Sequence, residues 1–173
     1  MTKRRSRSNA TASRRGFLAA AAQTAAVFTI VPRHVLGGPG FTPPSEVVTR
    51  AVIGTGGRGK GAHVTVNAEG EPPVTLAVCD VDRKRLEAAL AKAGRSCDGY
   101  ADFRRVLDRK DIDTIHIATT THWHGLIAIA AANAGFDILC EKPLTRTVAE
   151  GQALAEAVRR NGRILQVGTF SRF

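Results

Sequence analysis

The chain has 173 residues, 43% of them apolar and 23% charged, and a formal net charge of +10. That length buries one good core and hardly two, and the balance excludes both a disordered chain and one embedded throughout a membrane. The distribution of charge argues against nucleic acid as a partner, because residues 1–50 hold eight Lys and Arg against one acid while residues 51–173 hold seventeen against fourteen.

The excess belongs to a leader in which a basic region is followed by a mild apolar run from Gly16 to Val31 and then Pro32. Ser13-Arg14-Arg15-Gly16-Phe17-Leu18 resembles a twin-arginine export signal. It implies the twin-arginine export machinery as a partner and a periplasmic or cell-envelope location. Contact with the membrane is through the leader alone, if it stays uncleaved, since the run falls short of the ~20 residues that span a bilayer comfortably. Thr24-Ala25-Ala26 and Val35-Leu36-Gly37 both offer the small residues of a cleavage site. Residues 1–36 read as the signal segment, 37–45 (GGPGFTPPS) as a flexible then stiff linker, and 46–173 as the folded domain.

Val47 to Ile53 is a short β-branched run ending at glycines, the pattern of a buried strand, and a helix is expected from Lys60 to about Asn67. Val74 to Asp80 is the second strand, and Arg83 to Ala93 an amphipathic helix closed by Gly94. A short edge strand fits Gly99 to Ala101, after which Asp102 caps a helix through Leu107. Asp113 to Thr119 is a strand, and Gly125 to Ala134 a helix stopped by Gly135, with Thr121 as a candidate cap. Phe136 to Cys140 is a strand, Val148 to Arg160 a helix, and Arg163 to Val167 the start of the last strand. Alternating short apolar strands and helices imply an α/β fold, a doubly wound parallel sheet in three layers whose ligands gather at the carboxyl ends of the strands. Cys79, Cys97 and Cys140 are an odd set without framework spacing; the first and last lie in strands as small core residues, and Cys97 in a loop.

Gly54-Thr55-Gly56-Gly57-Arg58-Gly59 is a G-x-G-x-x-G between the first strand and a helix. Its first glycine permits a tight turn, its second lets a pyrophosphate approach, and its third lets helix and strand pack closely. Exposed N–H groups and the helix dipole favour phosphates there. Asp80 ends the second strand 21 residues after Gly59, where a dinucleotide fold places the acid that accepts from the adenosine ribose. A carboxylate there favours NAD, while Arg83 and Lys84 keep NADP open. Thr119-Thr120-Thr121-His122-Trp123-His124 follows the next strong strand with hydroxyls and imidazoles for ribose or phosphate. A His-x-His metal site finds no third ligand at suitable spacing, so no metal is expected. Glu141-Lys142-Pro143 ends a strand at the same edge. A lysine there has the reach to donate to a substrate hydroxyl or take part in its deprotonation, with Pro143 setting the turn.

Together VIGTGGRG, VCDVD, DIDTIHIATTTHWH, CEKPLT and LQVGTF resemble the Gfo/Idh/MocA oxidoreductases, in family order and spacing from Val47 to Arg172. The resemblance implies a Rossmann domain of strand order 3-2-1-4-5-6 binding NAD(P), with Lys142 at the reacting hydroxyl and Glu141, Thr119 and His122 near the cofactor. It also implies sugars, polyols and their derivatives as substrates, oxidised by hydride transfer from a secondary alcohol. Thr120-Thr121 stand where the family often has Pro-Asp or Pro-Asn, and Phe170-Ser171 replace polar residues after VGT. A related glycosidase branch tends to lack the lysine of EKP, so Lys142 favours the dehydrogenases. Family members continue from here into a substrate domain, so the 173-residue chain is expected to be truncated before it. The alternative reading is a stand-alone dinucleotide-binding module without turnover.

Overall fold

The computed structural model describes residues 42–64, 73–93 and 96–169. The leader, most of the linker, and Phe170-Ser171 lie outside the described residues. A compact unit begins at Ser45. Its strands are β1 (Thr49–Ile53), β2 (Val74–Cys79), β3 (Asp98–Tyr100), β4 (Thr114–Ile117), β5 (Asp137–Glu141) and β6 (Leu165–Gly168). They form one six-stranded sheet in the order β3-β2-β1-β4-β5-β6, and every pairing is parallel.

Parallel strands need crossovers, and the helices supply them: α1 (Arg83–Ala93), α2 (Phe103–Leu107), α3 (Thr121–Ala134) and α4 (Val148–Arg160). Alternation along the strands decides which face each residue serves. Ala51, Ile53, Ala77, Cys79, Ile115, Ile117, Ile138 and Cys140 pack with Val106, Ile127, Ala128, Ala131, Ala132 and Leu154 of α2, α3 and α4. Val52 and Val78 point the other way, onto Ala89, Leu86 and Leu90 of α1. Two cores on opposite sides of one sheet make the three layers. Cys97 stands outside any element, as its sequence context suggests, yet it is buried in the α1 core.

Helix starts follow local chemistry. Asp102 Oδ1 accepts from Arg104 N at 3.0 Å and Thr147 Oγ1 from Glu150 N at 3.2 Å, each satisfying an otherwise orphaned donor. Asp82 does the same for α1, accepting from Lys84 N and Arg85 N. Two expectations need correction. α3 starts at Thr121 rather than near Gly125, so Thr121 is inside the helix; Thr120 holds the cap position with extended backbone and makes no side-chain cap bond. The polar Thr-His-Trp-His turn carries no apolar period, so the start is invisible to pattern reading. Gly125 instead lies within the helix, where an added Cβ would stand 3.3 Å from Thr145 Cγ2, so its smallness serves the approach of α3 to the segment before α4. After the glycine turn the chain runs as a 3-10 helix over Gly57–Val64, where an α-helix from Lys60 was expected. Three glycines in those eight residues disfavour α geometry.

The amino-terminal ends of the strands are tied by side chains. Thr49 N and Oγ1 both donate to Asp113 Oδ2 at 2.8 Å, and Arg109 reaches Asp98 and Asp111 at 2.6 Å each and the Leu76 carbonyl at 3.3 Å. The carboxyl ends are left for other work.

Candidate dinucleotide site

The chain turns sharply where β1 ends, held by Gly54 N donating to Cys79 O and Ala118 N to Ile53 O, both at 2.8 Å. Gly54 has φ of 90°, and a Cβ there would stand 2.7 Å from the Ala118 and Thr119 backbone. At Gly59 a Cβ would run into the Gly54 carbonyl oxygen. The first and third glycines therefore let the turn nest against β4 and its own helix, in the roles their spacing assigns. A Cβ on Gly56 would meet Arg85 Nη1 at 2.9 Å, so the second glycine keeps the rim low beneath an arginine.

A cavity of about 490 Å³ opens at this edge of the sheet, within the range of ligand sites. Of the candidate residues, Gly54, Gly56, Gly57, Arg58, Asp80, Thr119, Thr120, Glu141 and Lys142 line it. They come from four separate strand ends, which parallel topology brings to one rim.

Three candidates stand elsewhere. Thr55 is buried, with its N–H and hydroxyl both spent on Asp80 Oδ2 at 2.8 and 3.0 Å, so it braces the acid and has no hydroxyl to offer. Gly59 lies behind the turn. His122 is exposed on α3, its Nε2 3.4 Å from Thr120 Oγ1, and does not line the cavity. A helix places residues two apart roughly 200° around its axis, so when His124 points in, His122 points out. The same geometry separates the His-x-His pair. Among the described residues no cluster of three metal-capable side chains exists.

Asp80 is 8% exposed. Its Oδ2 takes both Thr55 donors and its Oδ1 takes Asp82 N at 2.9 Å. With two lone pairs per oxygen, Oδ1 retains capacity for a further donor from the cavity. Glu141 is 7% exposed, and among the described residues its Oε2 is buried without a hydrogen-bond partner. A buried carboxylate oxygen left unpaired is costly, and a ligand hydroxyl in the cavity would satisfy it. Lys142 follows immediately and is exposed at the rim.

Sequence reading singled out neither Arg85 nor the aromatic pair Phe103 and Trp123, and gave His124 only as one of the imidazoles after β4. Arg85 lines the cavity from the first turn of α1, where Arg83 and Lys84 were the expected cations; Arg83 instead pairs with Glu87 at 2.8 Å and does not line it. Phe103 and Trp123 form an edge-to-face aromatic wall with centroids 6.4 Å apart. His124 is 2% exposed, with Nδ1 2.8 Å from the Pro143 carbonyl and Nε2 3.0 Å from the Thr119 carbonyl. It thus ties the loop after β4 to the turn that carries Lys142. Both partners are acceptors, so both contacts are donated together only by a doubly protonated ring. The spacing of His124 from His122 on one helix was the available signal. Under the cavity, burial and then the Asp80 charge push the Cys79 thiol up to about 12, and burial and then Glu141 push Cys140 likewise to about 12.

An all-parallel open sheet, a glycine turn with helical N–H groups, and an acid at the end of the second strand define a dinucleotide-binding Rossmann protein. Residues 48–169 match the oxidoreductase family with NAD-binding Rossmann fold, the Gfo/Idh/MocA group, and the chain belongs to that family. The glycine cradle, the remaining capacity of Asp80 and the orphaned Glu141 oxygen fit its cofactor, NAD. The chain is 36% identical over 99 residues to an inositol 2-dehydrogenase of Salmonella paratyphi B, covering 57% of this chain and 30% of that enzyme. It is 51% identical over 87 residues to the levoglucosan dehydrogenase of Pseudarthrobacter phenanthrenivorans, covering 50% of this chain and 22% of that one. A solved structure of levoglucosan dehydrogenase in complex with NADH superposes with a TM-score of 0.64 at 32% identity, over 72% of this chain and 35% of the enzyme. The chain thus spans about a third or less of each of these relatives.

Proposed function

We propose that the chain is the cofactor-binding part of an exported dehydrogenase that oxidises a secondary alcohol of a sugar or polyol. The observation that carries this reading is the convergence of the glycine turn, Asp80, Glu141 and Lys142 on one cavity. The names of the relatives, an inositol and a levoglucosan dehydrogenase, support the substrate class. NAD, when bound, supplies the hydride acceptor. The turn at Gly54 to Gly57 would present backbone donors to its phosphates, and the Asp80 and Glu141 carboxylates would accept from its hydroxyls. Phe103 and Trp123 offer the cavity an apolar aromatic wall. Lys142, at the open rim, would donate to the reacting hydroxyl or take part in its deprotonation, and His124 holds the turn that aims it.

Trp123 is the single tryptophan of the chain and lines the cavity, so its fluorescence reports on occupancy. Titration with NADH is expected to quench it saturably, and failure to bind either NADH or NADPH would sink the proposal. The 173-residue chain by itself is expected to bind NADH without turnover; joined to a substrate domain and given NAD, it is expected to yield NADH from a panel of polyols and anhydrosugars in a Lys142-dependent way, and binding without turnover in that protein too would assign a dinucleotide-binding module instead. We further read the leader as a twin-arginine signal that exports the folded domain with cofactor already loaded. Arg14→Lys with Arg15→Lys is expected to retain the protein in the cytoplasm, and undiminished export would refute that part.

A further inference from the structure

Gly168 ends β6 directly beside Glu141, its register partner on β5. Paired residues of neighbouring strands project from the same face of a sheet, so a side chain at 168 would stand next to that of Glu141. The backbone gives no reason for a glycine there. The positive-φ glycines of the described residues are Gly54, Gly57, Gly135 and Gly162, and Gly168 is not among them. Glycine in a strand weakens it, and where no turn requires one it marks a close approach. What approaches is the Glu141 carboxyl: a Cβ at 168 would stand 3.2 Å from Oε2 and 3.3 Å from both Cδ and Oε1.

That contact matters because no polar partner fixes the carboxyl. Among the described residues Glu141 makes no hydrogen bond or ion pair, although it is 7% exposed and its Oε2 is buried. Its position is therefore set by shape. Separations of 3.2 to 3.3 Å are tighter than ordinary van der Waals contact, so even a methyl group at 168 would displace the carboxyl by a few tenths of an ångström. Glu141 borders the dinucleotide cavity, and that is the open direction in which it can yield.

We propose that Gly168 is a positioning residue of the dinucleotide site: the space left by its absent side chain is a berth that holds the Glu141 carboxyl back against β6, clear of the cavity and ready to accept from a ligand hydroxyl. The claim rests on the dinucleotide reading, and it gives Gly168 a part in affinity although Gly168 does not itself line the cavity. An acceptor already in place adds no ordering cost when the ligand arrives, whereas a carboxyl pushed forward must first be pushed back. A glycine that merely ends a strand predicts something different, since its replacement would then act without regard to Glu141.

The test is a double-mutant cycle on the full chain, with NADH affinity read by Trp123 quenching and a thermal melt to confirm folding, since alanine suits an ordinary strand backbone at least as well as glycine. Gly168→Ala and Glu141→Ala are each expected to lose about tenfold, the scale of one hydrogen bond to a charged acceptor. The double variant is expected to lose about tenfold as well, rather than about a hundredfold, because the methyl group displaces nothing once the carboxyl is gone. In chains carrying Glu141→Asp, whose carboxyl stops one methylene short of the berth, adding Gly168→Ala is expected to change affinity less than about twofold. Wild-type affinity in Gly168→Ala, or the same loss from Gly168→Ala with and without the Glu141 carboxyl, would overturn the proposal. Should Gly168→Ala not fold, Glu141→Asp alone decides: a loss of about tenfold upholds the berth, and undiminished NADH affinity overturns it. Failure of the wild type to bind NADH would instead overturn the dinucleotide reading.

Discussion

The two edges of the sheet are built by opposite rules. At the amino-terminal edge, polar side chains are satisfied by one another: Arg109 joins Asp98, Asp111, the Tyr100 hydroxyl and the Leu76 carbonyl, and Thr49 and Asp113 exchange hydrogen bonds. At the carboxyl edge, glycines replace side chains, Glu141 keeps a buried oxygen unpaired among the described residues, and a cavity opens between the strand ends. Stability is stored at one end and left incomplete at the other. An edge with every donor and acceptor satisfied has no free energy to offer a ligand, whereas an unfinished edge gains it on binding.

The comparison can be broken most forcefully at the glycine turn. Gly59→Val places a side chain against the Gly54 carbonyl, so the helix must move off the strand; we expect a loss of about 3 kcal/mol of stability by denaturant melting and no measurable NADH binding. Lys142→Ala is expected to behave differently. The side chain is exposed at the rim, so the melting temperature should stay within about a degree, and NADH affinity within about threefold, while alcohol oxidation, assayed with the domain joined to a substrate domain, falls at least about 100-fold.

At the other edge, Arg109→Met should cost about 1 to 2 kcal/mol, discounted because Asp98 and Asp111 are more than half exposed, and should leave NADH affinity unchanged. A loss of cofactor binding there would show the two edges to be coupled. The pH dependence follows in sign. The hydrogen bond from Arg109 holds the Asp111 carboxyl below the usual carboxylate range, with burial opposing it, so the stabilisation is present above about pH 4 and is lost as pH falls below that. Urea melts between pH 5 and 2.5 should show a shallower decline for Arg109→Met than for the wild type. The smallest effect concerns the thiols. Cys79 and Cys140, pushed up to about 12, should not react with a disulfide reagent at pH 8 until the chain is unfolded, and prompt reaction in the native protein would place a water path beneath the cavity.

Much of the fold was legible because its signals are local. α1 and α4 fall on the residues that amphipathic period and caps assign, and β1, β2, β4 and β5 within two residues of their apolar runs. The boundaries that failed, at α3 and after the glycine turn, lie in polar or glycine-rich stretches where no period exists. The site was legible in part for the same reason: glycine spacing, a strand-ending acid and a charged strand tip are each short-range patterns. His122 could not be told from His124, nor Lys84 from Arg85, since neighbours in sequence are separated only by which way a helix faces.

By itself, then, the sequence determined the parallel α/β architecture, the glycine turn and the strand-end positions of Asp80, Glu141 and Lys142, because alternation, helical period and backbone sterics act over a few residues. Only the tertiary structure decided that Thr55 serves Asp80, that His124 bridges the Thr119 and Pro143 carbonyls, and that Arg85 faces the cavity while Arg83 does not. Those outcomes depend on hydrogen-bond partners 5 to 25 residues away and on the packing of α1 and α3 against the sheet. No local pattern encodes which of two adjacent side chains that packing turns inward.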